Sequence, residues 1–220
     1  MLSTIAKDPV AAEKYFWQAM QAFGSGQLKD AIRGLEKAVE LDPENLKYRN
    51  NLATFYGNIG DWDAAEVTWQ ELLRLAPDSE YISNYVAILS NNAYLASKRG
   101  DTEEMVRLYE KSLSIDPKQP LALKELGFYW QKSEQWQKAI CYLEQAVKSA
   151  TKPLGGSASL ENYRAELKDR IATCYFAIGD YRTAMRYWEE ALAEKAWSSS
   201  DRQAIEKDIA KAKDVLSKAR

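Results

Sequence analysis

The sequence of 220 residues contains no histidine and only two cysteines, Cys141 and Cys174. Without histidine, the chain lacks the side chain most often used as a general base and a common nitrogen ligand of metals. Glycine-rich phosphate loops and nucleophile elbows are missing too. Acidic side chains are plentiful, but helix caps and solvated helix faces account for them. The sequence therefore indicates a non-enzymatic protein without metal or cofactor, in which both cysteines act as small apolar side chains.

Strong charge of one sign and long apolar runs are also missing. The net charge of −2 provides no general attraction to phosphate, so we expect no nucleic acid partner. No apolar run approaches the roughly 18 residues that span a bilayer. The N-terminus has no continuous apolar core of the kind found in signal peptides. We therefore expect a cytoplasmic protein without a membrane span.

The sequence does contain a recurring helical pattern, clearest in residues 46–77. This stretch reads as two amphipathic helices joined at Gly60 and Asp61. Gly60 suits the left-handed end of the first helix, and Asp61 suits the cap of the second. Apolar stripes at helical spacing comprise Leu52, Ala53 and Tyr56 on the first helix and Ala65, Trp69 and Leu72 on the second. Two such helices cannot bury both stripes between themselves, which indicates a stack of repeats.

The spacing of equivalent positions divides the whole chain. We predict an N-terminal segment at 1–11, a repeat region at 12–197 made of five repeats (12–45, 46–79, 80–119, 120–153 and 158–197), and a C-terminal capping helix at 198–220. The third repeat is longer, and its additional residues at 79–85 predict about one and a half extra helical turns. Glu134 replaces the turn glycine of the fourth repeat, which makes that turn the least certain. Ser200 and Gln203 predict a capping box for the last helix.

This pattern resembles the tetratricopeptide repeat family over residues 12–196. The features that match are the 34-residue period, the small residues Ala19, Ala53, Ala93, Gly127 and Ala172, the alanines Ala31, Ala65, Ala139 and Ala184, and the prolines Pro43, Pro77 and Pro117. Met105 and Thr151 depart from the pattern. The resemblance implies an all-α fold, a right-handed α-solenoid of antiparallel helical hairpins. It also implies a scaffold or adaptor that binds a protein, as a peptide segment or partner helix, in a concave groove.

In this family the first helix of each pair lines the groove. Alignment of the repeats places these candidate partner-binding residues there: Phe16, Met20 and Phe23 on the first repeat; Asn50, Asn51, Thr54 and Asn58 on the second; Asn91, Tyr94 and Lys98 on the third; and Lys124, Phe128 and Gln131 on the fourth. The fifth repeat places Asp169, Arg170, Thr173 and Phe176 on the same stripe.

Two groups of these residues favour binding over a plain solvated face. Asn51 and Asn91 fall in one column, and their amides can pair with an extended peptide backbone. Tyr94 and Phe128 offer an aromatic anchor of the kind found at hot spots. The clamp for acidic chaperone tails is missing, because Thr54, Leu121 and Glu125 replace its asparagine, lysine and arginine.

The apolar face of the first repeat leaves a second interpretation open. Leaving Phe16, Met20 and Phe23 in water forgoes roughly 1.5–3 kcal/mol per large side chain, so we expect a second chain, a ligand or the segment Met1–Ile5 to cover them. A homo-oligomer formed through this repeat would make the protein a structural assembly subunit. A third alternative is a ligand-sensing regulator.

Overall fold

The computed structural model of the chain describes residues 7–77, 80–151, 159–194 and 197–218. Within these ranges it forms α-helices and no β-strand, which confirms the predicted all-α class of helical hairpins. The helices are α1 (Pro9–Gly24), α2 (Leu28–Leu41), α3 (Leu46–Ile59), α4 (Trp62–Leu75), α5 (Tyr81–Arg99), α6 (Thr102–Ile115), α7 (Pro120–Lys132), α8 (Trp136–Ser149), α9 (Leu160–Ala177), α10 (Tyr181–Glu194) and α11 (Ser199–Lys218). The chain divides into two compact units, residues 1–91 and 92–220, and the division falls inside α5.

Aspartate side chains cap the N-termini of four of the helices. The carboxylates of Asp8, Asp61, Asp101 and Asp180 each accept a hydrogen bond from the backbone N–H three residues later, at 3.0 to 3.2 Å. The predicted cap Asp61 is therefore confirmed. The predicted capping box at Ser200 is wrong, because α11 already begins at Ser199 and encloses Ser200 in its first turn. Ser198 caps this helix instead.

The five hairpin turns share one backbone geometry. In each turn an N–H donates to the carbonyl five residues earlier at 2.9 to 3.0 Å, from Gln27 to Ala22, Asp61 to Tyr56, Asp101 to Ala96, Gln135 to Trp130 and Asp180 to Tyr175. This bond requires a left-handed residue just before the donor. Four turns place a glycine there, and the fourth turn places Glu134 there with φ 58°. The turn of the fourth repeat, which lacks the glycine signal in the sequence, thus has the same geometry as the other four.

The unit of residues 1–91 is held by a core between α1, α2 and α3. Buried alanines bring the helices close, so that a Cβ atom on Gly34 would lie 2.9 Å from the Cβ of Ala19. α5 has 19 residues against 14 in α3, which confirms the predicted extra turns of about one and a half. The Tyr85 ring from these turns stacks on the fully buried Trp69 at 4.8 Å. The extra turns therefore pack against α4.

The unit of residues 92–220 has two adjoining clusters of buried side chains. One joins α7, α8 and α9, where Gly127 faces Leu143 so closely that a Cβ atom would lie 2.5 Å from the leucine side chain. The other joins α9, α10 and α11. α11 buries Ile205, Ile209 and Ala212, and its other faces are mostly exposed.

Candidate binding surface

The predicted partner-binding residues fall in both units. The unit of residues 1–91 holds Phe16, Met20, Phe23, Asn50, Asn51, Thr54, Asn58 and Asn91, and the unit of residues 92–220 holds Tyr94, Lys98, Lys124, Phe128 and Gln131. All of them lie on the first helices of the pairs, on α1, α3, α5 and α7. Each unit therefore presents a part of the predicted surface, and the two parts are described separately.

Phe16 is not an exposed contact residue. Its side chain is 3% exposed and its ring stacks on Tyr48 of α3 at 5.1 Å. The ammonium of Lys47 lies 4.3 Å from the same ring. Met20 is half-buried against the same core. The expectation that a second chain or a ligand covers Phe16 is wrong, because the next hairpin of its own chain covers it. Residues 1–6, including the proposed cover Met1–Ile5, lie outside the described residues.

Three other aromatic side chains of α1 are exposed: Tyr15 at 36% and, to a greater extent, Phe23 and Trp17. Phe23 is 47% exposed, although its ring stacks on Phe55 at 4.6 Å. Trp17 is 59% exposed, and the Lys47 ammonium lies 5.4 Å from its ring. Trp17 was not among the predicted contacts, although the repeat alignment places it in the column of Asn51. The exposed aromatic area of this unit therefore centres on Trp17 and Phe23.

The polar side chains of α3 are partly engaged within the chain. Asn51 donates its amide N–H to the backbone carbonyl of Lys47 at 2.7 Å, and the Thr54 hydroxyl donates to the carbonyl of Asn50 at 2.8 Å. Asn84 donates to the side-chain oxygen of Asn50 at 3.4 Å. Asn51 thus keeps its amide oxygen as an acceptor. Asn58 and Asn91 lie exposed on α3 and α5.

In the other unit, aromatic rings are covered by cations. The ammonium of Lys98 lies 5.1 Å from the ring of Tyr94, which is 47% exposed. Phe128 is half-buried, with the Lys124 ammonium 5.6 Å and the Arg170 guanidinium 5.0 Å from its ring. Exposed pairs of this kind stabilise by about 0.5–1 kcal/mol. The rings of both predicted anchor residues therefore lie next to cations of the same chain.

Gln131 lies deeper than predicted. It is 9% exposed, and its amide donates to the Arg170 carbonyl at 3.4 Å. The Arg170 guanidinium in turn donates to the amide oxygen of Gln131 at 3.5 Å. The expectation of an exposed glutamine is wrong, because α9 covers it from 39 positions away in the chain. Gln131 orients Arg170 over the surface and leaves little area for a partner.

α9 also carries two charged side chains that contact α10: Lys168, which the repeat alignment did not single out, and Asp169, which it placed on the stripe of the fifth repeat. Lys168 is 8% exposed and forms ion pairs with Glu190 at 2.9 Å and Glu194 at 2.7 Å. Asp169 accepts a hydrogen bond from the indole of Trp188 at 3.0 Å, and burial raises the pKa of its carboxyl. These groups join α9 to α10, so we assign them to the packing of the hairpin.

The described residues supply no group of three or more cysteine, aspartate or glutamate side chains placed to hold a metal ion. None of the helices in the described ranges is both long and apolar enough to cross a membrane. Cys141 is exposed and Cys174 is buried, and both are free thiols. Burial raises the pKa of the Cys174 thiol to about 11.

The fold and this surface define a helical-repeat protein with exposed aromatic and amide groups on its first helices. Tetratricopeptide repeat family models match residues 22–88 and residues 88–119. Residues 22–119 therefore consist of tetratricopeptide repeats, and the resemblance seen in the sequence is confirmed.

Comparison with known proteins gives partial relatives. Photosystem I assembly protein Ycf3 of Prochlorococcus marinus (strain NATL2A) is 31% identical over 103 residues, which cover 45% of this chain and 57% of the relative. Stress-induced-phosphoprotein 1 of Caenorhabditis elegans is 25% identical over 188 residues, which cover 84% of this chain and 52% of the relative. The chain thus spans about half the length of these curated relatives.

A solved structure shows the same fold. The N-terminal domain of stress-induced protein-1 (STI-1) from C. elegans matches with a TM-score of 0.50 and 15% identity. The match covers 61% of this chain and 99% of that domain. At this identity the likeness concerns the fold alone.

Proposed function

We propose that the chain is a non-catalytic adaptor that binds a segment of a protein partner, as a peptide or a helix, on the face of its first helices. The observation that carries this proposal is the position of Phe128, whose ring lies near the cations of Lys124 and Arg170 and remains half-exposed. Tyr94, with its own lysine, supplies a second aromatic side chain on α5.

The physical basis is the low cost of uncovering these rings. Long lysine and arginine side chains shield aromatic area from water, but each exposed cation–π contact contributes only about 0.5–1 kcal/mol. A partner that buries the ring in a desolvated pocket gains more than that, as aromatic and arginine hot spots do. The cations thus shield the rings in the free protein, and a matching apolar segment of a partner can displace them and bind.

The names of the relatives agree with this function at a coarse level. One relative is called an assembly protein, which fits a chain that brings other proteins together. Their partners do not transfer to this chain, since it spans about half of their length. The missing clamp residues argue against acidic chaperone tails as the ligand, and Thr54 directs its hydroxyl to its own helix.

Site-specific photo-crosslinking tests the proposal. We would place p-benzoylphenylalanine at Tyr94 and, as a matched control, at the exposed Gln137 on α8. We expect the probe at position 94 to crosslink a protein partner in native lysate, and the probe at position 137 not to crosslink that partner. The partner, once purified, should bind the double variant Tyr94→Ala with Phe128→Ala at least about 2 kcal/mol more weakly, roughly a 30-fold loss.

Two results would contradict this function. Equal crosslinking from both positions would show that the first-helix face is not selective. Unchanged affinity in a double variant that has lost stability would show that the two rings belong to the core. Melting curves of the variants, compared with that of Leu126→Ala, separate these cases, because Leu126 is fully buried and its truncation costs about 2–5 kcal/mol.

A further inference from the structure

A groove in the unit of residues 1–91 lies between α2, α3 and α4, and none of its lining residues belongs to the surface described above. Its volume is about 590 Å³. α2, α3 and α4 line it with Val39, Arg49, Leu52, Val67, Thr68, Gln70, Glu71 and Arg74. The groove combines an apolar base with two arginines and one carboxylate.

The base of the groove suits an aliphatic side chain. Leu52 is only 5% exposed and forms part of the core, and Val39 beside it is half-buried. Val67 on α4 is 66% exposed, so an isopropyl group stands in water at the edge of the groove. A partner side chain laid between Val39 and Val67 would remove apolar area of both from water.

The charges of the groove are not balanced. Arg74 holds Glu71 with two hydrogen bonds, from its Nε at 3.0 Å and its Nη2 at 2.7 Å. Arg49 donates only its Nε, to the carbonyl of Pro43 at 2.7 Å, and forms no ion pair with any carboxylate in the described ranges. Burial lowers the pKa of the Arg49 guanidinium, the nearby Glu71 carboxylate raises it, and the neighbouring Arg74 lowers it. The groove therefore holds two guanidinium groups against the single carboxylate of Glu71, an excess of one positive charge, and Arg49 is partly desolvated.

We infer that this groove is a second binding site, for a partner segment in which an aliphatic side chain adjoins a carboxylate. The aliphatic group lies against Val39, Leu52 and Val67, and the carboxylate accepts from the free Nη groups of Arg49. A guanidinium with two open N–H groups matches a carboxylate in a bidentate pair. One surplus cation is too little for a nucleic acid backbone, which requires several. None of the residues of this site is among those proposed for the first-helix face.

Solution NMR on the full chain tests the inference directly. The probe is the peptide acetyl-Ala-Leu-Glu-Asp-Leu-Ala-amide, and its control is the neutral twin acetyl-Ala-Leu-Gln-Asn-Leu-Ala-amide. We expect the acidic peptide to shift the Nε–H signal of Arg49 and the methyl signals of Val39 and Val67, with a Kd near or below ~1 mM. The neutral twin should bind at least about tenfold more weakly, because it cannot form the charged pair.

Matched variants separate the groove from general effects of charge and apolar area. Arg49→Gln and Val67→Ser should each weaken the acidic peptide at least about fivefold, since each removes one of the two contacts. Arg33→Gln and Val10→Ser replace exposed residues of the same types outside the groove and should leave binding unchanged. Arg49→Lys keeps the charge without the planar fork, so it should give an intermediate loss and serves if the glutamine variant fails to fold.

Three outcomes would overturn the inference. The first is no shift at Arg49, Val39 or Val67 with about 5 mM acidic peptide, well above the expected Kd. The second is an equal response to the neutral twin. The third is an Arg49 variant that titrates like the unchanged chain. Failure of photo-crosslinking at Tyr94 would leave this site unaffected, because Tyr94 lies in the other unit.

Discussion

Replacing Glu134 by glycine should stabilise the protein. Glu134 is the one described residue other than glycine with a positive φ, at 58°, and it occupies the position that glycine holds in the other four hairpin turns. Its side chain is exposed and forms no hydrogen bond or ion pair with the described part of the chain. The variant Glu134→Gly therefore removes backbone strain and little else.

The expected gain follows from two opposing terms. A left-handed conformation costs an ordinary L-residue roughly 1–2 kcal/mol, and glycine avoids this cost. Glycine loses more conformational entropy on folding, which offsets roughly 0.5–1 kcal/mol. The difference leaves a stabilisation of about 0.5–1 kcal/mol, which corresponds to a rise in Tm of about 1–4 °C for a chain of this size.

Urea and thermal unfolding followed by circular dichroism would measure the change, with two control variants. Glu134→Ala removes the side chain but keeps the strain, so it should leave stability nearly unchanged. Gly100→Ala should cost about 1 kcal/mol, because Gly100 has φ 80° and a Cβ atom there would meet nothing within 4 Å.

The reasoning fails if Glu134→Gly lowers the urea midpoint or leaves it unchanged at constant m-value. It also fails if Glu134→Ala gains as much as Glu134→Gly, since the side chain and not the backbone would then be responsible. A change in m-value alone would indicate that the unfolding transition has lost its cooperativity.

Three further predictions concern thiols, pH and self-association. At pH 8 a thiol-specific reagent should label the exposed Cys141 quickly and the buried Cys174 only on unfolding. The pKa of Cys174, about 11, leaves roughly one thiol in a thousand as the reactive thiolate at this pH. Equal labelling rates at the two cysteines would contradict the burial of Cys174. Burial raises the pKa of Asp169, so its ionisation destabilises the fold above that pKa. Asp169→Asn should then raise the free energy of unfolding at pH 7, and the gain should vanish below about pH 3.9; a pH-independent effect would refute this. If the face of α1 self-associates, the double variant Trp17→Ser with Phe23→Ser should lower the mean mass measured by sedimentation equilibrium at about 1 mM protein. A monomer mass for both the unchanged chain and the variant would exclude self-association through this face.

The helices and their turns could be predicted because their determinants are local. Gly60 and Asp61 determine a turn within a few residues, and the alanine spacing shows which faces pack. The extra length of α5 followed from the absence of breakers in residues 79–85. Even Glu134, which lacks the expected signal, could be placed by the period, since the neighbouring hairpins fix where the chain must reverse.

The exposure of the candidate surface could not be predicted to the same degree, because it depends on contacts distant in sequence. Phe16 has the spacing of an exposed apolar stripe, but Tyr48 from the next hairpin covers it. Gln131 is polar, but Arg170 from the following hairpin closes over it. A periodic pattern determines which face a residue occupies; it does not determine how far the neighbouring helix extends over that face.

One feature of the surface was nevertheless readable in the sequence. Tyr94 and Lys98, and likewise Lys124 and Phe128, are four positions apart on one helix, and in the structure each cation lies over its ring. Side chains at this spacing are neighbours on a helix, so a cation–aromatic pair is expected there from local geometry alone. The net charge of −2 does not reveal these cation–aromatic pairs, because it sums the cations of the first helices with acidic side chains elsewhere in the chain. A ring covered in this way avoids nonspecific contact while the protein is free, and the cover yields to a partner whose pocket fits the ring. These pairs are therefore where we propose that a specific partner binds.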